Sequence, residues 1–168
     1  MATSIGYLKG MLLDTDIKAV LRTIRRGEGT IAPDGYSYLF GSSPKNNRRF
    51  TDFSTHPNQR FTFTINGVTN ITSAAGAYQI LKKTFDTLCF KYGFKDFTPQ
   101  TQDLMALALF DTRGCLKAVA DGNFFDPEIM DRLNNEWASL PMAGYGQPEK
   151  SMDQVKRWYI MEGGIIAK

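Results

Sequence analysis

The sequence predicts an α+β fold in a single domain of 168 residues, with a mainly helical lobe, a small β-hairpin-containing lobe and a cleft between them. Three observations lead to this prediction. An amphipathic helical pattern occupies residues 14–27, a segment rich in Gly, Pro, Asn, Ser and Thr covers residues 32–71, and helical patterns return after Ser73. A β-rich segment inserted after the first helix would form its own lobe, and the groove between two lobes is a natural ligand site.

The first helix is predicted over residues 14–27. Its apolar residues recur at i, i+3, i+4 and i+7, which is typical of a helix with one buried face: Ile17, Val20, Leu21 and Ile24. Thr15 or Asp16 can cap its start. Arg25 and Arg26 suit the negative end of the helix dipole, and Gly27 or Gly29 can end the helix.

Residues 32–71 are predicted to form a small, loop-rich β lobe. Within this segment Phe61, Phe63 and Ile65 alternate with threonines, and Asn66-Gly67 follows directly. Alternating apolar residues before Asn-Gly indicate a β-hairpin with a type I′ turn.

The remainder of the chain is predicted to be helical. One apolar stripe, from Ile80 to Tyr92, ends at Gly93, and Thr98-Pro99 opens an almost wholly apolar helix that ends near Gly114. We expect the second of these to be the central buried helix. Asp126-Pro127 opens another helix that includes Trp137, and Ser151 with Gln154 forms a capping box for a last helix carrying Trp158. Both tryptophans are predicted to lie in the core.

Composition narrows the classes of function. A net charge of +3 fits an anionic polymer partner or an ordinary protein surface, and the short basic clusters do not indicate nucleic-acid binding. Cys89 and Cys115 lack CxxC spacing and His56 is the single histidine, so neither a metal nor another cofactor is expected. We expect both cysteines to be buried free thiols and His56 to be a structural hydrogen-bonding residue.

The N-terminal residues do not resemble a targeting signal. Residues 1–16 lack a basic stretch followed by a long apolar core, and no segment approaches the ~20 apolar residues of a membrane span. The sequence therefore predicts a protein made and folded in the cytosol, without membrane insertion.

Glu28 is the candidate catalytic residue. It lies between Gly27 and Gly29, directly after the first predicted helix. The negative end of the helix dipole and partial burial would both raise its pKa, as a general acid working near neutral pH requires. Arg25 and Arg26 would oppose this shift if they approached, so the sequence leaves the direction open. A solvated glutamate after a helix cap is the simpler alternative.

Five segments in order resemble the bacteriophage lambda endolysin family of peptidoglycan lytic transglycosylases. They are GEGT (27–30), which contains Glu28, FTDFSTHP (50–57), TSAAGAYQIL (72–81), KDFTPQTQD (95–103) and WASLPMAGYGQ (137–147). Residues 30–49 match less well and look longer than their counterpart, which predicts an enlarged β lobe. The resemblance implies a lysozyme-like fold and a phage endolysin that lyses the host cell.

The resemblance also implies a mechanism with one acid. Glu28 would protonate the oxygen between N-acetylmuramic acid and N-acetylglucosamine and then accept the proton of the C6 hydroxyl, which attacks C1 to form a 1,6-anhydro ring. The resemblance also implies substrate-binding residues, namely Gly76, Tyr78, Gln79, Gly144, Tyr145 and Gln147. The segment with the first three of these is expected to open a helix. The hairpin and residues 141–147 would form the two lips of the cleft.

Two alternatives stay open at this stage. A hydrolytic muramidase would need a second carboxylate, for which Asp34 and Asp52 are the candidates, although both fit turn positions. A non-catalytic peptidoglycan-binding virion protein could keep the fold. For the endolysin, the expected partners are glycan strands of peptidoglycan, with holin-dependent release from the host cytoplasm to the periplasmic wall and a monomeric state.

Overall fold

The computed structural model describes residues 2–43, 45–143 and 150–166. Its helices and strands follow in the order α1 (Ile5–Met11), α2 (Thr15–Glu28), β1 (Phe61–Ile65), β2 (Val68–Thr72), α3 (Lys82–Tyr92), α4 (Pro99–Thr112), α5 (Leu116–Ala120), α6 (Pro127–Leu133) and α7 (Met152–Met161), with a 3₁₀ turn at Pro33–Ser37. This arrangement confirms the predicted α+β class, in which a small two-stranded sheet interrupts a series of helices.

Helix α2 brings the chain to the cleft. It begins one residue later than predicted, and its cap is Asp14 rather than Thr15 or Asp16, because Asp14 Oδ1 accepts the Ile17 N–H at 2.9 Å. The helix ends at Gly29, whose φ of 74° is left-handed and whose N–H points back to carbonyls of the last turn. Glu28 is therefore the last helical residue.

The β lobe contains the predicted hairpin. Strands β1 and β2 pair antiparallel, with Phe61 opposite Thr72 and Ile65 opposite Val68. Asn66 and Gly67 have φ values of 51° and 76°, the sign that a type I′ turn requires at both central positions. The described residues of the preceding segment form loops and isolated bridges rather than further strands.

Helix α4 is the central helix of the larger lobe, as predicted. Nine of its residues are buried, from Thr101 to Phe110. Trp137 packs against Phe110 with ring centroids 5.7 Å apart and is almost fully buried. It lies beyond the end of α6 rather than inside that helix, and Trp158 is only partly buried. The short helices α1 and α5 were not predicted.

The segment from Ala75 to Ile80 is a tight loop, so the expectation that it opens a helix was wrong. Backbone hydrogen bonds of 3.1 and 2.9 Å join Ala75 and Ile80. Gly76 and Gln79 between them have φ values of 82° and 50°, which an α-helix does not allow. Helix α3 begins only at Lys82, whose N–H is capped by Ser73 Oγ at 3.0 Å.

His56 is a buried structural residue. Its Nε2 donates to the Ile80 carbonyl at 2.8 Å, and its Nδ1 accepts the Asn58 N–H at 3.0 Å. Burial lowers the pKa of the ring, which favours the neutral form that these two bonds need. The histidine therefore anchors the loop before β1 to the Ala75–Ile80 loop.

Two further findings concern the sequence predictions. Cys115 is buried and Cys89 is half-buried, and both are free thiols. None of the described helices is both long and apolar enough to cross a bilayer.

Candidate active site

An open cleft of about 490 Å³ lies where α2 meets the β lobe. Residues 38–42 and Phe63 line it from the β lobe, and Glu136, Ala138, Ser139 and Lys150 line it from the C-terminal part of the chain. The other lining residues are 27–30, at the end of α2, together with Thr72, Ala74, Gln79 and Leu81. The cleft between the lobes therefore contains the residue that the sequence singled out, Glu28.

Glu28 is half-buried and lines this cleft. Burial raises the pKa of its carboxyl from 4.5 to about 7, because removal from water disfavours the charged form. Ser139 Oγ donates a 2.7 Å hydrogen bond to Glu28 Oε1, which stabilises the carboxylate and partly opposes the shift. Near neutral pH the group can therefore both give and accept a proton.

The two arginines beside Glu28 do not oppose its raised pKa. Arg25 is buried and donates to the carbonyls of Thr30 and Ala32, at 2.8 and 2.9 Å. Arg26 forms an ion pair with Glu162, next to the end of α7. Both guanidinium groups are thus engaged by other partners, and burial is the main influence on the Glu28 carboxyl.

Gly27 leaves the space that the Ser139 side chain occupies. A Cβ atom at position 27 would lie 2.8 Å from Ser139 Oγ, closer than side chains tolerate. The absence of a side chain therefore lets the serine hydroxyl reach Glu28. The glycine on the other side, Gly29, provides the left-handed residue that ends α2.

The end of α2 is fixed to the Ala75–Ile80 loop. Thr30 Oγ1 donates to the Ala77 carbonyl, and the Thr30 N–H donates to the Arg25 carbonyl at 2.8 Å. Gln79 lines the cleft on this side, and its Nε2 donates to the Gly76 carbonyl at 2.9 Å. Its left-handed backbone is unusual for a residue other than glycine and is typical of functional loops.

Tyr78 does not line the cleft, which corrects the prediction made for it. Its ring is 2 % exposed, and its hydroxyl donates to Asp103 at 2.6 Å. Tyr36 donates to the same carboxylate at 3.0 Å. Gly76 lies behind the cleft wall, where a Cβ atom would be 2.3 Å from Gln102 Oε1. Of the three residues predicted in this segment, the structure places only Gln79 in the lining.

The two candidate second carboxylates lie outside the cleft lining. Asp34 forms a 3.0 Å ion pair with Arg49. Asp52 is exposed and accepts the Ser54 N–H at 2.8 Å, which is the turn geometry considered for it. Among the residues that the structure describes, the second carboxylate in the cleft lining is Glu136, and it is paired with Arg113 at 2.7 Å.

Other lining residues were not singled out from the sequence. Ser139 lies within the WASLP segment but had no evident role, because its partner Glu28 is 111 residues away. Phe40 and Phe63 form an aromatic pair on the β-lobe side, with ring centroids 5.2 Å apart. No sequence pattern linked these residues to Glu28. The predicted binding residues Gly144, Tyr145 and Gln147 lie outside the described residues.

Comparisons with known proteins agree with this geometry. Residues 18–166 match the family model described as Endolysin. The endolysin of Escherichia phage lambda is 36% identical in an alignment over 155 residues that covers 89% of this chain and 92% of that protein. The endolysin of Escherichia phage P2 is 34% identical over 120 residues, covering 70% of this chain and 72% of that protein.

Solved structures give the same result. Bacteriophage lambda lysozyme complexed with a chitohexasaccharide superimposes with a TM-score of 0.77 at 33% identity, covering 92% of this chain and 97% of that one. A second structure of lysozyme from bacteriophage lambda gives a TM-score of 0.75 at 32% identity. The matched family model, the two relatives and the shared lysozyme fold show that this chain belongs to the endolysin family.

Proposed function

We propose that this endolysin is a lytic transglycosylase that cleaves the β-1,4 bond between N-acetylmuramic acid and N-acetylglucosamine in peptidoglycan. The observation that carries the proposal is the environment of Glu28. It is a carboxylic acid in the lining of an open cleft, with a pKa of about 7 and a serine hydroxyl bonded to one oxygen.

Glu28 would act first as an acid and then as a base. In its protonated form it gives a proton to the bridging oxygen. The bond from C1 of N-acetylmuramic acid to that oxygen then breaks, and N-acetylglucosamine leaves with a free hydroxyl at C4. The resulting carboxylate takes the proton of the C6 hydroxyl of muramic acid as O6 bonds to C1. The products carry a 1,6-anhydro ring, and Glu28 is again protonated.

The lining of the cleft favours this mechanism over hydrolysis. Glycosidases that use water place a second carboxylate near the acid, either as a nucleophile or as a base. Within the part of the chain that the structure describes, neither Asp34 nor Asp52 lines the cleft, and the other lining carboxylate there, Glu136, is bonded to Arg113. An intramolecular hydroxyl nucleophile removes the need for that second group.

The cleft walls offer suitable contacts for a glycan. Phe40 and Phe63 present an aromatic surface on which a sugar ring can pack, and Gln79 adds an amide group to the cleft lining. The lambda lysozyme structure that this chain resembles contains a chitohexasaccharide, a chain of N-acetylglucosamine units. We propose that Gly144, Tyr145 and Gln147 complete the glycan site, and that Gly76 shapes it from behind.

Family membership also supports a proposal for how the enzyme reaches its substrate. We propose that it accumulates in the host cytoplasm as a monomer and passes to the wall through a holin-type membrane lesion. Expression with and without a holin tests this step: we expect rapid lysis only when both are present. Lysis by the endolysin alone would refute it.

Mass spectrometry of the fragments released from purified peptidoglycan tests the reaction. We expect fragments one water lighter than hydrolysis products, with an anhydro muramic acid terminus. Reducing muramic acid ends at full mass would instead identify a hydrolytic muramidase. No release by the folded protein, with Glu28→Gln behaving identically, would support a non-catalytic binding protein.

A further inference from the structure

A second groove borders the catalytic cleft at the base of the β-hairpin. Thr72, the last residue of β2, lines both spaces, and Leu81 of the cleft is followed in the chain by Lys82 of this side groove. The side groove has a volume of about 530 Å³ and lies between Arg60, the end of β2 and the first turns of α3. A substituent that projects from a bound glycan past Thr72 would therefore reach the side groove.

The side groove is lined by more positive than negative charge. It contains Arg60, Lys82 and Lys83, and one acid, Asp86. Lys82 Nζ lies 2.6 Å from Asp86 Oδ1, so these two charges balance. Arg60 and Lys83 are exposed, and within the described part of the chain neither forms an ion pair. Two cations of the groove are thus left without an ion-pair partner among the described residues.

We propose that the side groove binds free carboxylates of the peptide stem attached to muramic acid. The proposal rests on the proposed function, which places the glycan in the cleft. The stem is joined to the lactyl group of muramic acid, projects from the glycan strand and carries carboxylates that are ionised at neutral pH. The position of the side groove next to the cleft, at Thr72, and its complementary charge together favour this ligand.

The test compares two substrates with a double variant, Arg60→Gln/Lys83→Gln. One substrate is intact peptidoglycan, and the other is the same glycan after an amidase has removed its peptides. We expect the apparent KM on the peptide-bearing substrate to rise by about three- to tenfold at low salt, from the loss of two exposed ionic contacts. The KM on the stripped glycan should not change, and the effect should shrink at high salt.

Two further variants make the test specific. Asp86→Asn releases Lys82 from its ion pair and should lower the KM on the peptide-bearing substrate, opposite to the double variant. Lys9→Gln changes an exposed lysine on α1 and should leave both KM values unaltered. Thermal unfolding checks that all variants fold.

Several results would overturn the proposal: an equal change on both substrates, no change on either, or the same change in Lys9→Gln. Failure of the proposed mechanism is separable from failure of this inference. Loss of anhydro ends from both substrates would refute transglycosylation, whereas the ratio of the two KM values reports on the side groove alone.

Discussion

Removal of the Ser139 hydroxyl tests whether the protonation state of Glu28 sets the pH dependence of cleavage. Ser139 Oγ donates to Glu28 Oε1 at 2.7 Å and stabilises the ionised form, while burial raises the pKa to about 7. The resting enzyme must hold a protonated acid, so its rate should fall as the pH rises through this pKa. In Ser139→Ala the carboxylate of Glu28 loses its hydrogen-bond donor. The falling limb of the pH–rate profile should therefore move to higher pH.

The size of this movement follows from the strength of one charge-assisted hydrogen bond. Such a bond contributes about 1.5–3 kcal/mol net, and a tenfold change in an ionisation constant corresponds to about 1.4 kcal/mol. Water from the open cleft can replace part of the lost bond. We therefore expect the limb to move upward by about one pH unit.

The assay is kcat/KM for formation of anhydro ends over the range from about pH 5 to about pH 9, because this ratio reports the ionisation of the free enzyme. Ser42→Ala is the matched control, since Ser42 also lines the cleft but its hydroxyl is bonded to Arg49. A limb that stays in place or moves to lower pH in Ser139→Ala would refute the reasoning. An equal movement in Ser42→Ala would do the same.

Three further predictions follow from the same contacts. Gly27→Ala should displace the Ser139 hydroxyl, because the new Cβ would lie 2.8 Å from Ser139 Oγ. The falling limb of the pH–rate profile should then move to higher pH. Adding Ser139→Ala to Gly27→Ala should move that limb no further. Glu28→Gln should lower kcat by about 10³-fold. The same change should raise the free energy of unfolding above pH 7 by up to about 3 kcal/mol, because the wild type must ionise a buried carboxyl between pH 4.5 and 7. Denaturant unfolding below pH 4.5 should show no difference between the two proteins, and a difference there would contradict this account. Tyr78→Phe should destabilise the fold by about 1–3 kcal/mol, because it leaves half-buried Asp103 without one donor. Its pH limb should not move, and a loss of glycan binding at unchanged stability would show that the hydroxyl contacts substrate.

Features that depend on neighbouring residues could be predicted from the sequence. The apolar stripe of α2, the Asn66-Gly67 turn and the buried helix α4 each follow from a local pattern, and each is present. The position of Glu28 near the end of α2 was predictable for the same reason, but the sequence left Gly27 and Gly29 open as the end of the helix, and the fold selects Gly29.

Features that depend on distant partners were not predictable in this way. The Ala75–Ile80 segment looks helical, yet it folds as a loop because Gln102, on α4, accepts the Ala77 N–H at 2.8 Å. That loop turns Tyr78 into the core, where it bonds to Asp103. Local pattern cannot reveal a contact of this kind, because the partner is 25 residues away in the chain.

The chemistry of Glu28 combines both kinds of information. The sequence alone places Glu28 between two glycines at a helix end. Its resemblance to the endolysin family then predicts that this residue is catalytic. The direction of its pKa remained open, because Arg25 and Arg26 precede it in the chain. In the folded protein Glu162 engages Arg26 from 136 residues away, and Ser139 reaches Glu28 from 111 residues away. A pKa depends on burial and on which charges approach the group, and packing of distant segments sets both.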